Sequence, residues 1–108
     1  MKMLFVIVHD EDSENVANEL NKHGYSVTKL CSTGGFLRTG NTTMMIGLED
    51  AELERVLDII KENSRSRKQL IKSPPHGTFI GGMTQGTVEI TVGGATVFIT
   101  PVERMEKY

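Results

Sequence analysis

Tryptophan is absent from this chain, cysteine occurs once and proline three times in 108 residues. The lone Cys31 has no second cysteine to pair with, so no internal disulfide framework exists and the fold must rest on apolar burial. Aromatic residues are only 6% of the chain, too sparse to build the stacking platform of a single-strand nucleic-acid binder. Charge of one sign is lacking as well. Twelve basic and 14 acidic side chains leave a net charge of −2, which gives no electrostatic footprint for a nucleic-acid polymer. No apolar run approaches the roughly 20 residues of a membrane-spanning helix, which argues against membrane insertion. The opening "MKMLFVIVHD" lacks the layout of a secretory signal. These absences lead us to expect a soluble, cytoplasmic protein of one domain over residues 1–108, with a single core of modest size.

What is present is alternation and punctuation. Residues 2–9 form a continuous apolar run suited to a buried central strand. Asp10, Asp12 and Ser13 are candidate caps for a helix through "ENVANELNKHG", with Val16, Ala17 and Leu20 on its apolar face and Gly24 closing it. "YSVTKLCS" and "NTTMMIGL" read as strands on either side of a glycine-rich loop. Asp50 is expected to cap a second helix, in which Leu53, Val56, Leu57 and Ile60 recur at helical spacing. "QLIKS" suits a short extended piece, and residues 73–86, with Pro74–Pro75 and four glycines, a long loop. "TVEITV", a Gly93–Gly94 turn and "ATVFITPV" predict a closing hairpin. The order predicts an α+β, ferredoxin-like β-α-β-β-α-β sandwich with one added C-terminal strand. Helices would cover one sheet face, and no segment remains to cover the other, which points to an oligomer.

Four segments carry possible chemistry. "HDEDSE", residues 9–14, gathers an imidazole and carboxylates, but its spacing matches no zinc or calcium motif, and acids in a first helical turn explain it. Cys31 with His9, His23 or His76 has no supporting spacing for a nucleophile and base, and a strand cysteine is ordinarily a small core residue. With no other nucleophile–base pair or convergent acid pair, the chain does not read as an enzyme. "RSRK", residues 65–68, suits either phosphate contacts or a solvated helix end favoured by the helix dipole. The fourth segment is "TGGFLRTGN". It supplies successive backbone N–H groups, Thr hydroxyls, the Asn41 amide and the flat ring of Phe36, parts that suit a phosphate beside a base. It lacks the Lys-Ser/Thr ending of a Walker loop, and from its residues a nucleotide site and a structural hairpin stay open alternatives.

"VTKLCSTGGFLRTGNTTMMIGLED", "IKENSRSRKQLI" and "VEITVGGATVFITPVE" together resemble the cyclic-di-AMP receptor family of PII-like proteins. "TGGFL-x-x-GNTT" paired with "VGGATVF" is far more specific than a lone glycine motif. The resemblance runs over nearly the whole chain and is weakest at residues 73–86. It implies a ferredoxin-like homotrimer whose sheets face one another, binding cyclic di-AMP between adjacent subunits as a ligand rather than a cofactor and without turning it over. Carried onto this chain, it assigns Thr28 to a phosphate, Gly35, Phe36 and Leu37 to one adenine, Asn41 to that base's edge and Gly47 to backbone contacts. Relatives often carry a basic residue two positions before the threonine, where this chain has Ser26. Loss of a charge-assisted contact there costs about 1.5–3 kcal/mol, roughly ten- to a hundredfold in affinity. Strand alternation turns Lys29 away from Thr28, which leaves Arg38 as the substitute. The implied mechanism is ordering of loops near 33–40 and 73–86 by the ligand, with a changed surface for a downstream protein. A classical PII-like regulator binding ATP or ADP, and a metal-responsive trimer using "HDED", are the competing expectations.

Overall fold

The computed structural model describes residues 1–30, 40–72 and 87–108. Strand β1 (Lys2–His9) leads into helix α1 (Asp10–Lys22), strand β2 (Thr28–Leu30) and strand β3 (Asn41–Leu48). A 3-10 turn at Asp50–Glu52 opens helix α2 (Leu53–Ser64), followed by β4 (Arg67–Lys72), β5 (Thr87–Val92) and β6 (Ala95–Pro101). Four strands form one antiparallel sheet in the order β2-β3-β1-β6, while β4 and β5 pair separately as a two-stranded ribbon. The main sheet with its two helices is an α+β arrangement compatible with the expected ferredoxin-like fold.

β1 lies at the centre because both of its backbone edges are paired, to β3 on one side and β6 on the other. Its even-numbered side chains, Leu4, Val6 and Val8, are almost fully buried beneath the helices. Val16 and Leu20 from α1, Val56 and Ile60 from α2, and Met44 and Ile46 from β3 complete this core. Complete burial of an aliphatic side chain of this size contributes roughly 1.5–3 kcal/mol. The two helices are also joined at their polar edge, where Asn15 Nδ2 donates to Asn63 Oδ1 at 2.9 Å. The Tyr25 hydroxyl donates to Glu52 Oε2 at 2.5 Å, tying the approach to β2 onto the 3-10 turn. That hydrogen bond, with burial secondary, raises the Tyr25 phenol above its ordinary pKa.

Gly24 ends α1 as expected. Its N–H donates to Asn21 O and the Tyr25 N–H to Leu20 O, each at 3.0 Å, the paired bonds of a Schellman motif. Gly24 has φ +88°, and a Cβ there would meet nothing within 4 Å. Gly24→Ala therefore meets only the backbone penalty, and urea denaturation should show a loss of about 1 kcal/mol.

Several boundaries differ from the sequence reading. α1 starts directly at Asp10 with His9 at its N-cap and no side-chain cap, so Asp10, Asp12 and Ser13 lie inside the first turns. Glu49 precedes the 3-10 turn where Asp50 was expected to cap the second helix. β2 has three residues, beginning at Thr28 rather than Tyr25. The basic cluster begins just past the end of α2, and Arg67 is the first residue of β4 rather than part of a solvated helix end. Its guanidinium reaches the buried Asp12, with Nη2 to Oδ1 at 3.0 Å. This hydrogen bond holds the Arg67 guanidinium even further above its ordinary pKa.

The expected closing hairpin is corrected as well. β5 pairs with β4, and β6 joins β1 over Lys2–Val8, so the last strand is an edge of the main sheet and the two extra strands precede it. Gly93 and Gly94, at φ +82° and +91°, carry the chain from one sheet to the other. The crossing is pinned at the end of α2, where the Gly94 N–H donates to Ser64 O. Pairing with β1 also satisfies the backbone edge of the central strand, which a β5–β6 hairpin alone would leave open.

Candidate functional site

The face of the main sheet turned away from the helices is the candidate site. Directly paired residues share a face, so the register defines its composition. One row runs Thr28, Met45, Phe5, Phe98 across all four strands, and the next runs Leu30, Thr43, Ile7, Thr96. Gly47, Met3 and Thr100 follow toward one end, with Asn41 beside His9 at the other. Among the described residues no element lies over this face. Phe98 is 58% exposed and Leu30 38%, a degree of apolar exposure that the helix-covered face of β1 and β3 does not show.

Three of the residues proposed from the sequence, Thr28, Asn41 and Gly47, thus belong to one sheet face. They do not converge on a point within the chain. Asn41 and Gly47 are six residues apart in β3, roughly 20 Å at strand rise, and Thr28 sits opposite Met45 between them. Gly35, Phe36, Leu37 and Arg38 lie outside the described residues, as do Cys31, His76, residues 33–39 and residues 73–86. Gly40, which closes the first of these segments, adopts φ +96° immediately before Asn41.

The chemistry of the face is apolar and hydroxylic. Its described strand residues include no lysine, arginine, aspartate or glutamate, and Lys29 pairs with Met44 on the helix side. A phosphate placed there would meet the Thr28 hydroxyl and backbone N–H groups rather than a sheet cation. At the Asn41 end the face opens into a shallow depression of about 380 Å³, lined by Ile7, His9, Asn41, Thr96 and the Gly93–Gly94 crossing. Its lining is mainly polar, with Asn41, His9, Ser66 and Thr96 beside Ile7 and Ala95.

Two features at this end escaped the sequence reading. The Thr43 hydroxyl is buried and has no hydrogen-bond partner among the described residues. Asp10, treated above only as a helix start, accepts a hydrogen bond from Thr42 Oγ1 at 2.5 Å through Oδ1, while its N–H donates to Gly40 O at 2.8 Å. Asp10 therefore braces both chain neighbours of Asn41. No sequence signal reveals a contact across 32 positions; only the β1–β3 register brings the two together. Among the described residues no three His, Cys, Asp or Glu side chains gather as a metal site.

The family model described as "Cyclic-di-AMP receptor" matches residues 1–108, the whole chain. Among solved structures, the chain resembles a functionally unknown protein from Pediococcus pentosaceus ATCC 25745. The two superpose with a TM-score of 0.77 at 36% sequence identity, over 99% of this chain and 96% of that one.

Proposed function

The chain belongs to the cyclic-di-AMP receptor family, and from that premise we propose that it is a cytoplasmic signalling receptor binding cyclic di-AMP between adjacent subunits of a homotrimer. The observation that carries this reading is the open sheet face, apolar at its centre and bearing Thr28, Asn41 and Gly47 along its length. Phe98 left exposed beside the half-buried Met45 and Phe5 favours coverage by further copies of the chain. The spread of the three polar contacts along roughly 20 Å favours a ligand that takes groups from more than one subunit.

In this reading Thr28 donates its hydroxyl to a phosphate oxygen and the backbone at Gly47 offers a further contact. Asn41 pairs with the adenine edge, Gly35, Phe36 and Leu37 pack against the base, and Arg38 supplies the positive charge that Ser26 does not. Ligand binding orders the segments near 33–40 and 73–86 and so alters the surface shown to a downstream protein. The role is one of binding, and the family is a receptor family.

Isothermal titration with cyclic di-AMP, cyclic di-GMP and ATP tests the assignment. Cyclic di-AMP should bind alone among the three. Thr28→Ala should weaken it about ten- to a hundredfold through loss of a charge-assisted hydrogen bond, and Asn41→Ala about three- to tenfold through a neutral one. Preference for ATP would favour the classical PII-like reading. Stabilisation by divalent metal with indifference to nucleotides would favour the metal-responsive one.

A further inference from the structure

The first turn of α1 holds two distant parts of the molecule at once. Asp10 grips the chain on both sides of Asn41, through the Gly40 carbonyl and the Thr42 hydroxyl. Two residues on, the buried Asp12 receives both guanidinium nitrogens of Arg67, Nη2 at 3.0 Å and Nη1 at 3.4 Å. Ser13 Oγ donates to Asp10 O at 2.9 Å, fixing the turn between them. Arg67 opens β4, and its Nη1 also donates to Arg65 O at 3.2 Å at the base of the ribbon. A single helical turn of acidic side chains is therefore bonded to the neighbours of a ligand-contact residue and to the root of a separate structural unit.

The β4–β5 ribbon is the kind of element such a turn can reorient. Two strands alone are marginal, so the ribbon's orientation depends on what holds its base. The described holds there are few: Arg67 on Asp12, the Gly94 N–H on Ser64 O, and the buried Val92. Farther out, Leu70 is 64% exposed, and the Lys68–Glu89 ion pair at 3.4 Å links only the two ribbon strands to each other.

We propose that the Asp10–Asp12 turn is a coupling bracket, through which ligand occupancy at Asn41 changes the position and local stability of the β4–β5 ribbon. Asp10 and Asp12 are positioning residues in this account and contact no ligand. The proposal rests on the reading of Asn41 as a ligand contact. Coupling of this sort requires a physical chain of contacts between an occupied site and an element with more than one arrangement. The contacts run from Thr42 and Gly40 through Asp10, Ser13 and Asp12 to Arg67, and the second arrangement of the ribbon is the part the proposal adds.

Hydrogen exchange followed by mass spectrometry on the full chain tests the bracket, after titration has established whether the wild type binds cyclic di-AMP. With ligand saturating each variant, exchange across residues 67–72 and 87–92 should slow several-fold in the wild type. Thr42→Val keeps the shape and removes the bond to Asp10; Arg67→Lys keeps a cation and removes the two-pronged contact. Both should abolish most of the ligand-induced slowing in the ribbon. Without ligand, Thr42→Val should already speed exchange in the ribbon strands, although Thr42 lies in the main sheet. Binding by the wild type with no change in the ribbon, or an equal ribbon response in both variants, overturns the bracket and leaves the receptor reading standing. Absence of binding overturns the receptor reading instead. In that event an unaltered ribbon in ligand-free Thr42→Val overturns the bracket independently.

Discussion

Gly93→Ala should lower the unfolding free energy by about 3–5 kcal/mol, several times the effect of Gly24→Ala. The two glycines have nearly the same backbone conformation, φ +82° and +88°, but different surroundings. A Cβ on Gly24 points into open space, whereas one on Gly93 would lie 2.6 Å from Arg65 O and 3.0 Å from Ser64 O, and closer still to Arg67 Nη1. Arg67 can swing aside at the expense of its bond to Asp12, but the two carbonyls belong to the last residue of α2 and its C-cap and cannot yield cheaply. The crossing between the two sheets therefore has to move, and with it the Gly94–Ser64 hydrogen bond. Equilibrium urea denaturation of both variants provides the comparison. A Gly93→Ala loss no larger than that of Gly24→Ala would show that the crossing is soft and that the ribbon base is not fixed by this contact.

Phe98→Asp should convert the proposed trimer to monomers and abolish cyclic-di-AMP binding while leaving the individual fold intact. Phe98 stands beside Phe5 on the open face, 58% exposed within one chain, and takes no part in the core under the helices. In the proposed trimer it is buried, which contributes roughly 1.5–3 kcal/mol per subunit. An aspartate would instead bring a carboxylate from every subunit into one dry interface, where each charge is costly unless paired. Sedimentation velocity reads the assembly, circular dichroism the fold and titration the binding. A Phe98→Asp protein that remains assembled and binds normally would remove the sheet face from the interface.

The parts of this structure that could be read from sequence are those governed by local periodicity. The β1 run, the apolar stripe of α2 and the Gly24 cap depend on residues within a few positions of each other, and each is found where expected. The Gly93–Gly94 pair shows the limit. Positive φ at two successive glycines suits a hairpin turn as well as a crossing between sheets. Which one forms depends on whether β6 pairs with β5 or takes the free edge of β1, about ninety residues away in sequence. The acidic "HDEDSE" segment opens a helix with acids in its first turn, as expected, but its capping roles and long-range partners could not be read locally. Its residues read locally as caps, but Asp10 and Asp12 are held by Thr42 and Arg67, partners 32 and 55 positions away. Of the candidate site, the strand positions of Asn41 and Gly47 followed from alternation in "NTTMMIGL". That they share a face with Thr28 and Phe98 required the register of four strands.

In the proposed receptor, cyclic di-AMP is held by an assembly and not by a single chain. Native mass spectrometry of the wild-type protein titrated with cyclic di-AMP tests it most directly, since it counts chains and ligands in the same ion. The expected result is a trimer of chains that accepts up to three ligands, with no ligand on monomers. Ligand carried by a monomer, or a trimer that takes none, would contradict it.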